Sequence, residues 1–169
     1  MRILILLIFL MSNSFADEVL DIKNLVIHKE FKKYDSLTFL NAQKDQLNLD
    51  DYKGNLILLN FWATWCLPCK EEMPSLDLLH QNKDLDNLKI FPINVGQENL
   101  EKTSIFFKDL EIENLKIYYD PPITLAKKLG LRGIPTTVLL NENGFEFARI
   151  VGSIDFNNRE FIEWLKKYN

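Results

Sequence analysis

The hydrophobic pattern of the chain centres on residues 56–62, which are apolar at every position except Asn60. An uninterrupted apolar run of this length is typical of a strand that is covered on both faces of a sheet. From about Leu67 onward, apolar residues recur at helical spacing, beginning with Cys69 and Met73. The pattern therefore predicts a buried strand that turns directly into a helix.

The rest of the chain continues to alternate between strand and helix patterns. The predicted elements are a hairpin over 37–49, a strand over 89–94, a helix over 100–110, a short strand over 117–119, a helix over 124–129, a hairpin around Asn143-Gly144 and a final helix over 161–168. This order predicts an α/β fold, with a central mixed β-sheet that is flanked by helices and an N-terminal β-hairpin extension.

For two segments, the sequence does not decide the position in the sheet. Pro92 lies within the strand predicted over 89–94, and because proline cannot donate to a β-ladder, we expect an edge strand or a bulge there. The stretch 17–36 is charged and has one apolar patch over 25–27. This patch can form an edge strand or lie over the sheet.

The first sixteen residues have the pattern of a secretory signal. Arg2 precedes a short apolar run, and small residues at Ser14 and Ala16 fit cleavage after Ala16. The apolar run is about half of the ~20 residues that a membrane-spanning helix needs, and an uncleaved leader acting as an anchor is the alternative. We predict a periplasmic protein with three parts: a signal peptide over 1–16, an N-terminal extension over 17–36 and one domain over 37–169.

The overall charge bears on the class of partner. The chain has 24 acidic and 20 basic side chains, for a formal net charge of −4. A nucleic-acid-binding protein would need a basic stripe, so this balance argues against a nucleic-acid partner.

The only two cysteines, Cys66 and Cys69, stand at the corner between the buried strand and the helix. A structural disulfide here would enclose only two residues, and short loops stabilise a fold least. Tetrahedral zinc needs three or four protein ligands, and His28 and His80 are not spaced as partners to the cysteines. The pattern therefore favours redox chemistry over a structural disulfide or a metal site.

The predicted helix gives the two thiols different roles. A thiol attacks a disulfide as the thiolate, and the unpaired N–H groups and positive dipole at a helix N-terminus favour that form at Cys66. We expect Cys66 at an exposed helix end and Cys69 one turn later in the buried stripe. Cys66 is then the predicted nucleophile, and Cys69 is close enough to attack the mixed disulfide and release the substrate.

Two side chains near the cysteines are candidates for supporting roles. Glu72 lies one helical turn beyond Cys69, and partial burial would raise its pKa towards the range that suits proton transfer. The alternative is a solvated acid in the first helical turn. Trp65 either flanks the sulfur or packs in the core, whereas core packing is favoured for Trp62.

Two motifs carry a resemblance to a known family. Residues 61–76, which include W-C-L-P-C-K-E-E-M-P, resemble the active-site signature of the exported thioredoxin-like oxidoreductases of the TlpA/ResA group. Residues 133–137, G-I-P-T-T, resemble the cis-proline loop of that family, although X–Pro bonds in general are cis in only about 5–6% of cases. The resemblance in pattern runs from about Leu37 to the C-terminus.

The resemblance implies a thioredoxin fold, with Cys66 as the nucleophile and Cys69 as the resolving thiol. It also implies a cis Pro135 beside the disulfide, and an Ile134 backbone that pairs with an extended substrate segment. Members often carry a functional glutamate where Glu72 stands.

A further residue of the buried strand fits this group. Asn60 occupies the position of the buried aspartate of cytoplasmic thioredoxin. The exported group commonly has asparagine there, which fits a transfer of the proton work to Glu72.

The function that the resemblance implies is reduction of disulfides in selected partner proteins. The suggested substrates are the cysteines of apocytochrome c before haem attachment, or the copper-site cysteines of an oxidase or its assembly factor. We expect a membrane thiol transporter as the source of electrons, a monomer, and no cofactor besides the redox-active Cys66–Cys69 pair.

Two other functions stay open. The first is an oxidant or isomerase of disulfides, which the reduction potential would distinguish, since C-x-x-C proteins span roughly −270 to −120 mV. The second is a copper-binding assembly chaperone that uses Cys66 and Cys69 as soft ligands. The sequence near the cysteines lacks the additional His or Met that such a site would favour.

Overall fold

The computed structural model describes residues 22–169, and the predicted signal peptide over 1–16 lies outside them. The chain forms eight strands: β1 (Leu25–Lys32), β2 (Thr38–Asn41), β3 (Gln46–Asn48), β4 (Leu56–Trp62), β5 (Leu88–Asn94), β6 (Tyr118–Tyr119), β7 (Thr136–Leu140) and β8 (Glu146–Val151). It also forms four α-helices: α1 (Leu67–His80), α2 (Leu100–Asp109), α3 (Thr124–Lys128) and α4 (Arg159–Leu165). Within the described part, no helix is both long and apolar enough to cross a membrane.

All eight strands belong to one mixed sheet, in the order β1-β8-β7-β4-β5-β6-β2-β3. Strand β4 is parallel to β5 and antiparallel to β7, and each of its residues is buried. Its alternate residues enter two hydrophobic clusters, Leu58 and Trp62 in one and Leu59 and Phe61 in the other. Because successive side chains of a strand point to opposite faces, the sheet has a core on each face. The predicted fold class is confirmed.

The N-terminal segments occupy both edges of this sheet. The apolar patch over 25–27 lies in β1, which pairs antiparallel with β8 and so forms one edge. The predicted hairpin over 37–49 is formed by β2 and β3 and lies at the other edge, where β2 also pairs with β6.

The prediction that Pro92 marks an edge strand or a bulge is wrong. Strand β5 lies inside the sheet, and its register with β4 is continuous. The Val95 N–H donates to the Trp62 carbonyl on β4, and the Asn94 carbonyl accepts from the Asp120 N–H on the other side. Because alternate residues of a strand direct their backbone N–H and C=O groups to opposite neighbours, the backbone of Pro92, like that of Asn94, faces the side of β6. Strand β6 pairs with β5 only beyond Pro92. The missing N–H is therefore tolerated inside the sheet.

Candidate active site

Three loops meet at one end of the sheet because of the strand directions. Strand β4 ends at Trp62, and the parallel strand β5 ends beside it at Asn94. The antiparallel strand β7 begins at Thr136, opposite Phe61. The turn 63–66, the loop 95–99 and the loop 133–135 are therefore neighbours, although they are far apart in sequence.

The turn 63–66 delivers Cys66 to the start of α1. The Cys66 N–H donates to the Ala63 carbonyl at 3.1 Å, and Cys66 is the N-cap residue of the helix. Cys66 and Cys69 form a disulfide, with Cα atoms 5.3 Å apart, and the Cys69 N–H donates to Cys66 Sγ at 3.3 Å. The helix N-terminus thus directs an N–H group at the sulfur of Cys66, as the thiolate chemistry requires.

The expected exposure of Cys66 is not what the structure has. Cys66 is only 5% exposed and Cys69 is fully buried. The disulfide holds the Cys66 side chain against its buried partner, while the flanking residues Trp65 and Leu67 project into solvent. Trp65 is 68% exposed, whereas Trp62 is fully buried in the core, as expected.

Glu72 is buried on the helix turn after Cys69 and retains 2% exposure. Asn60 of β4 donates from Nδ2 to Glu72 Oε1 at 2.7 Å, and the same group lies 3.0 Å from Thr137 Oγ1 on β7. Glu72 Oε2 is buried without a hydrogen-bond partner. The solvated alternative for Glu72 is therefore wrong, because α1 packs this face of the helix onto the sheet.

The surroundings of Glu72 favour its protonated form. Burial raises the pKa of Glu72 from 4.5 to about 8, against smaller opposing effects from the Asn60 hydrogen bond and the nearby Ile154 backbone. This pKa lies close to the ordinary value of a cysteine thiol, about 8.5. A carboxyl group with such a pKa can exchange a proton with a thiol at little cost in free energy.

The loop before β7 places the predicted substrate-contacting residues at the same end of the sheet. The Ile134–Pro135 peptide bond is cis, Pro135 is buried and Ile134 is half-buried. The Pro135 carbonyl accepts from the Gly152 N–H at 2.9 Å, and the Thr136 hydroxyl donates to the Gly133 carbonyl at 2.8 Å. The loop is thus fixed from β7 and from the end of β8.

Sequence reasoning missed two contacts at this site. In the first, Asn60 Nδ2 donates to Thr137 as well as to Glu72. In the second, Glu98 in the loop after β5 accepts hydrogen bonds from Thr64. Both contacts join residues from different strands or loops, and neither the spacing nor the hydrophobic pattern contains a signal for them.

A cleft of about 500 Å³ opens beside Glu72, between α1, α4 and the segment after β8. Its wall includes Glu71, Ser75, Ile154 and Asp155. Across residues 22–169, no group of three or more His, Cys, Asp and Glu side chains is arranged to hold a metal ion.

Comparison with known proteins gives the family. Residues 28–145 match the AhpC/TSA family, which is more than half of the chain. The chain belongs to the AhpC/TSA family.

Two relatives and one solved structure narrow this assignment. The chain is 30% identical over 128 residues to the thiol-disulfide oxidoreductase ResA of Halalkalibacterium halodurans, covering 75% of this chain and 71% of the relative. It is 38% identical over 117 residues to the thioredoxin-like protein YneN of Bacillus subtilis, covering 64% and 62%. A DsbF homologue from Corynebacterium diphtheriae superposes with a TM-score of 0.71 at 25% identity, covering 86% and 93%. The chain is a ResA-type thioredoxin-like thiol–disulfide oxidoreductase.

Proposed function

We propose that this protein is an exported reductase of protein disulfides, in which Cys66 is the nucleophile, Cys69 the resolving thiol and Glu72 the proton carrier. The observation that carries the proposal is the joint placement of the three residues at the N-terminal end of α1. Cys66 caps the helix, Cys69 is buried one turn later, and the buried Glu72 follows with a pKa of about 8.

The reaction transfers two electrons from the dithiol to the substrate. The Cys66 thiolate attacks one sulfur of the substrate disulfide, which forms a mixed disulfide and releases one substrate thiolate. The Cys69 thiolate then attacks Cys66 Sγ, so that the Cys66–Cys69 disulfide forms and the second substrate thiolate leaves. Each released thiolate takes up one proton, and an external dithiol must reduce the enzyme before the next cycle.

Glu72 supplies the proton exchange for the buried thiol. Cys69 has no solvent access, so its proton needs an acceptor inside the protein when the thiol becomes a nucleophile. Glu72 in its ionised form takes that proton. When the disulfide is reduced again, protonated Glu72 returns the proton to the Cys69 thiolate, and the pKa of about 8 suits both directions.

Trp65 and the loop of Ile134 form the docking face for the substrate chain. Trp65 offers a large exposed aromatic surface directly before Cys66. The Ile134 backbone lies just before the start of β7 and pairs with an extended substrate segment, in the manner of strand addition. Both groups contact polypeptide rather than the disulfide sulfurs.

The proposed substrates are the C-x-x-C-H cysteines of apocytochrome c before haem attachment, with the copper-site cysteines of an oxidase or its assembly factor as the second class. The proposed site of action is the periplasm, reached through the signal pattern over 1–16. The proposed electron donor is a membrane thiol transporter, since an oxidising compartment does not reduce the pair by itself.

The reduction potential of the Cys66–Cys69 pair, measured by equilibration in thiol–disulfide buffers, tests the direction of the reaction. We expect a value near −250 mV or below, as reductants of this class have. A value near −120 mV would identify an oxidant instead and would end the cytochrome-maturation proposal.

The assignment of the two thiols has its own test. We expect Cys66→Ser to abolish reduction of a synthetic peptide that contains a Cys-Xaa-Xaa-Cys-His disulfide. We expect Cys69→Ser to trap a mixed disulfide with this peptide, visible by mass spectrometry. Full activity of Cys66→Ser would refute the assignment, and stoichiometric Cu(I) binding without turnover would favour the copper chaperone.

A further inference from the structure

Glu98 is a second buried carboxylate at the active-site end of the sheet, and the proposed mechanism does not use it. It lies in the loop between β5 and α2, and its side chain is 4% exposed. Glu98 Oε2 accepts from the Thr64 N–H at 3.0 Å and from Asn94 Nδ2 at 2.8 Å. Glu98 Oε1 accepts from the Thr64 hydroxyl and lies 3.0 Å from Lys102 Nζ.

The loop is shaped to bring this carboxylate against the turn. A Cβ atom at Gly96 would lie 2.5 Å from Glu98 Oε2 and 3.0 Å from Ala63 Cβ, so a larger residue there would displace the Glu98 carboxylate. The Gly96 N–H donates to Asn94 Oδ1 at 3.1 Å, which fixes the loop from the end of β5.

Glu98 stays ionised near neutral pH. Burial by itself raises the pKa of Glu98, but the hydrogen bonds from Thr64, Asn94 and Lys102 outweigh it and lower the pKa to about 2. The carboxylate is therefore a constant hydrogen-bond acceptor and does not take part in proton transfer.

Glu98 contacts the turn 63–66 through Thr64, and not through Cys66. Cys66 is held independently of Glu98, by its position as the N-cap of α1, where the Cys69 N–H donates to its sulfur. Thr64 and Trp65 are the two central residues of the turn 63–66, and Thr64 directs both its N–H and its hydroxyl to Glu98. The exposed indole of Trp65 follows directly.

We propose that Glu98 is a positioning residue that holds Trp65 in place through Thr64 and thereby sets the affinity for the substrate polypeptide. The sulfur chemistry at Cys66 does not depend on it. This inference rests on the proposed contact of Trp65 with the substrate.

The test is single-turnover reduction of two disulfides by the reduced full-length protein. One is the synthetic Cys-Xaa-Xaa-Cys-His peptide disulfide, and the other is dithiobis(nitrobenzoate), which is too small to need a polypeptide docking face. Glu98→Gln places an amide N–H₂ where a carboxylate oxygen now accepts, and Thr64→Val removes the hydroxyl while keeping the charge of Glu98. Glu101→Gln is the matched control, an exposed carboxylate at the start of α2.

We expect Glu98→Gln and Thr64→Val each to raise the half-saturating peptide concentration about fivefold, the effect of roughly one lost hydrogen bond. In these two variants, the limiting rate with the peptide and the rate with dithiobis(nitrobenzoate) stay within about twofold of wild type. Glu101→Gln changes neither of these rates and leaves the half-saturating peptide concentration as it is in wild type. Trp65→Ala raises the half-saturating peptide concentration as well. Adding Glu98→Gln to Trp65→Ala has no further effect on this concentration, because Glu98 acts through Trp65 and the effects of coupled residues do not add.

Three outcomes would overturn the inference. The first is an unchanged half-saturating concentration in both Glu98→Gln and Thr64→Val while Trp65→Ala raises it, which leaves the docking role of Trp65 intact. The second is an equal loss of rate with both disulfides, which would place Glu98 in the chemistry at Cys66. The third is no effect of Trp65→Ala, which would remove the docking role and the inference together while leaving the roles of the cysteines untouched.

Discussion

Glu72 and Glu146 are buried in two different regions of the molecule, and the two regions treat the carboxylate in opposite ways. Glu72 at the active site has one hydrogen bond, from Asn60, and one oxygen without a partner. Glu146 at the start of β8 is also fully buried, but Arg149 donates to both of its oxygens at 2.6 and 2.8 Å. Tyr34 donates to Oε2 at 2.5 Å, and His28 Nε2 lies 2.6 Å from Oε1.

The two environments move the pKa in opposite directions. For Glu146, burial raises the pKa, but the hydrogen bonds from Arg149, Tyr34 and His28 outweigh it, and the net effect is a lowered pKa. For Glu72, burial is the largest effect and no cation opposes it. Burial therefore does not decide the state of a carboxyl group by itself. The number and charge of its donors decide whether it becomes a structural anion or a proton carrier.

The largest expected effect is on the structural anion. Glu146→Gln leaves the guanidinium of Arg149 largely buried without its counter-charge, which costs about 3–5 kcal/mol of unfolding free energy. We expect chemical denaturation at neutral pH to show this loss. We expect the folded fraction to reduce the peptide disulfide at the wild-type rate, because β8 lies two strands from β4.

The pH dependence sharpens this prediction. A carboxyl group whose folded pKa is lowered contributes stability above its ordinary pKa of 4.5 and loses it as the pH falls towards the folded value. The difference between wild type and Glu146→Gln should therefore narrow below about pH 4.5. Glu142→Gln, an exposed change in the same hairpin, is the control and should have no effect.

The next effect concerns Glu72, the proposed proton carrier. Glu72→Gln removes the proposed acceptor for the Cys69 proton, and we expect resolution of the mixed disulfide to slow about 100-fold. Acid-quenched samples analysed by mass spectrometry should show the mixed disulfide accumulating. Glu71→Gln is the control, an exposed change one residue away on α1. Resolution at the wild-type rate in Glu72→Gln would mean that Glu72 carries no proton.

The same substitution should stabilise the protein. A carboxyl group whose folded pKa is raised binds its proton more tightly in the folded state, so stability falls as the pH rises from 4.5 to about 8. At about 1.4 kcal/mol per pKa unit, the cost in wild type at pH 7 is about 3 kcal/mol. We expect denaturation curves of oxidised wild type and Glu72→Gln to coincide near pH 4 and to separate by about this amount at pH 7. Parallel curves across this range would contradict the raised pKa.

The smallest effect concerns the single donor to Glu72. The Asn60 hydrogen bond lowers the pKa of Glu72, so Asn60→Ala should raise that pKa further, by about one unit. Carboxyl-carbon NMR titration of the oxidised protein measures this shift. Thr137→Val, which keeps the Asn60 bond to Glu72, should change the pKa less. An unchanged titration in Asn60→Ala would show that the hydrogen bond does not form in solution.

Much of the fold could be predicted because its signals are local. The apolar run of β4, the Asn143-Gly144 turn and the helical spacing after Cys66 are each contained within a few residues, and each prediction agrees with the structure. Pro92 shows the limit of local reasoning. Its missing N–H is harmless only because β6 is short, and β6 lies elsewhere in the chain.

The sequence by itself determined the order of the elements and the position of the two cysteines at the start of a helix, because backbone patterning and thiol spacing are properties of neighbouring residues. It also marked Glu72 as a candidate, but it left open whether that residue is solvated or buried.

Only the tertiary structure decided the electrostatics. Asn60 meets Thr137 across 77 positions, and Thr64 meets Glu98 across 34. The charge state of a buried carboxyl group depends on its exposure and on all donors around it, and both are set by how the strands and helices pack. For that reason Glu72, with its raised pKa, and Glu98, with its lowered pKa, could be told apart only in the folded chain.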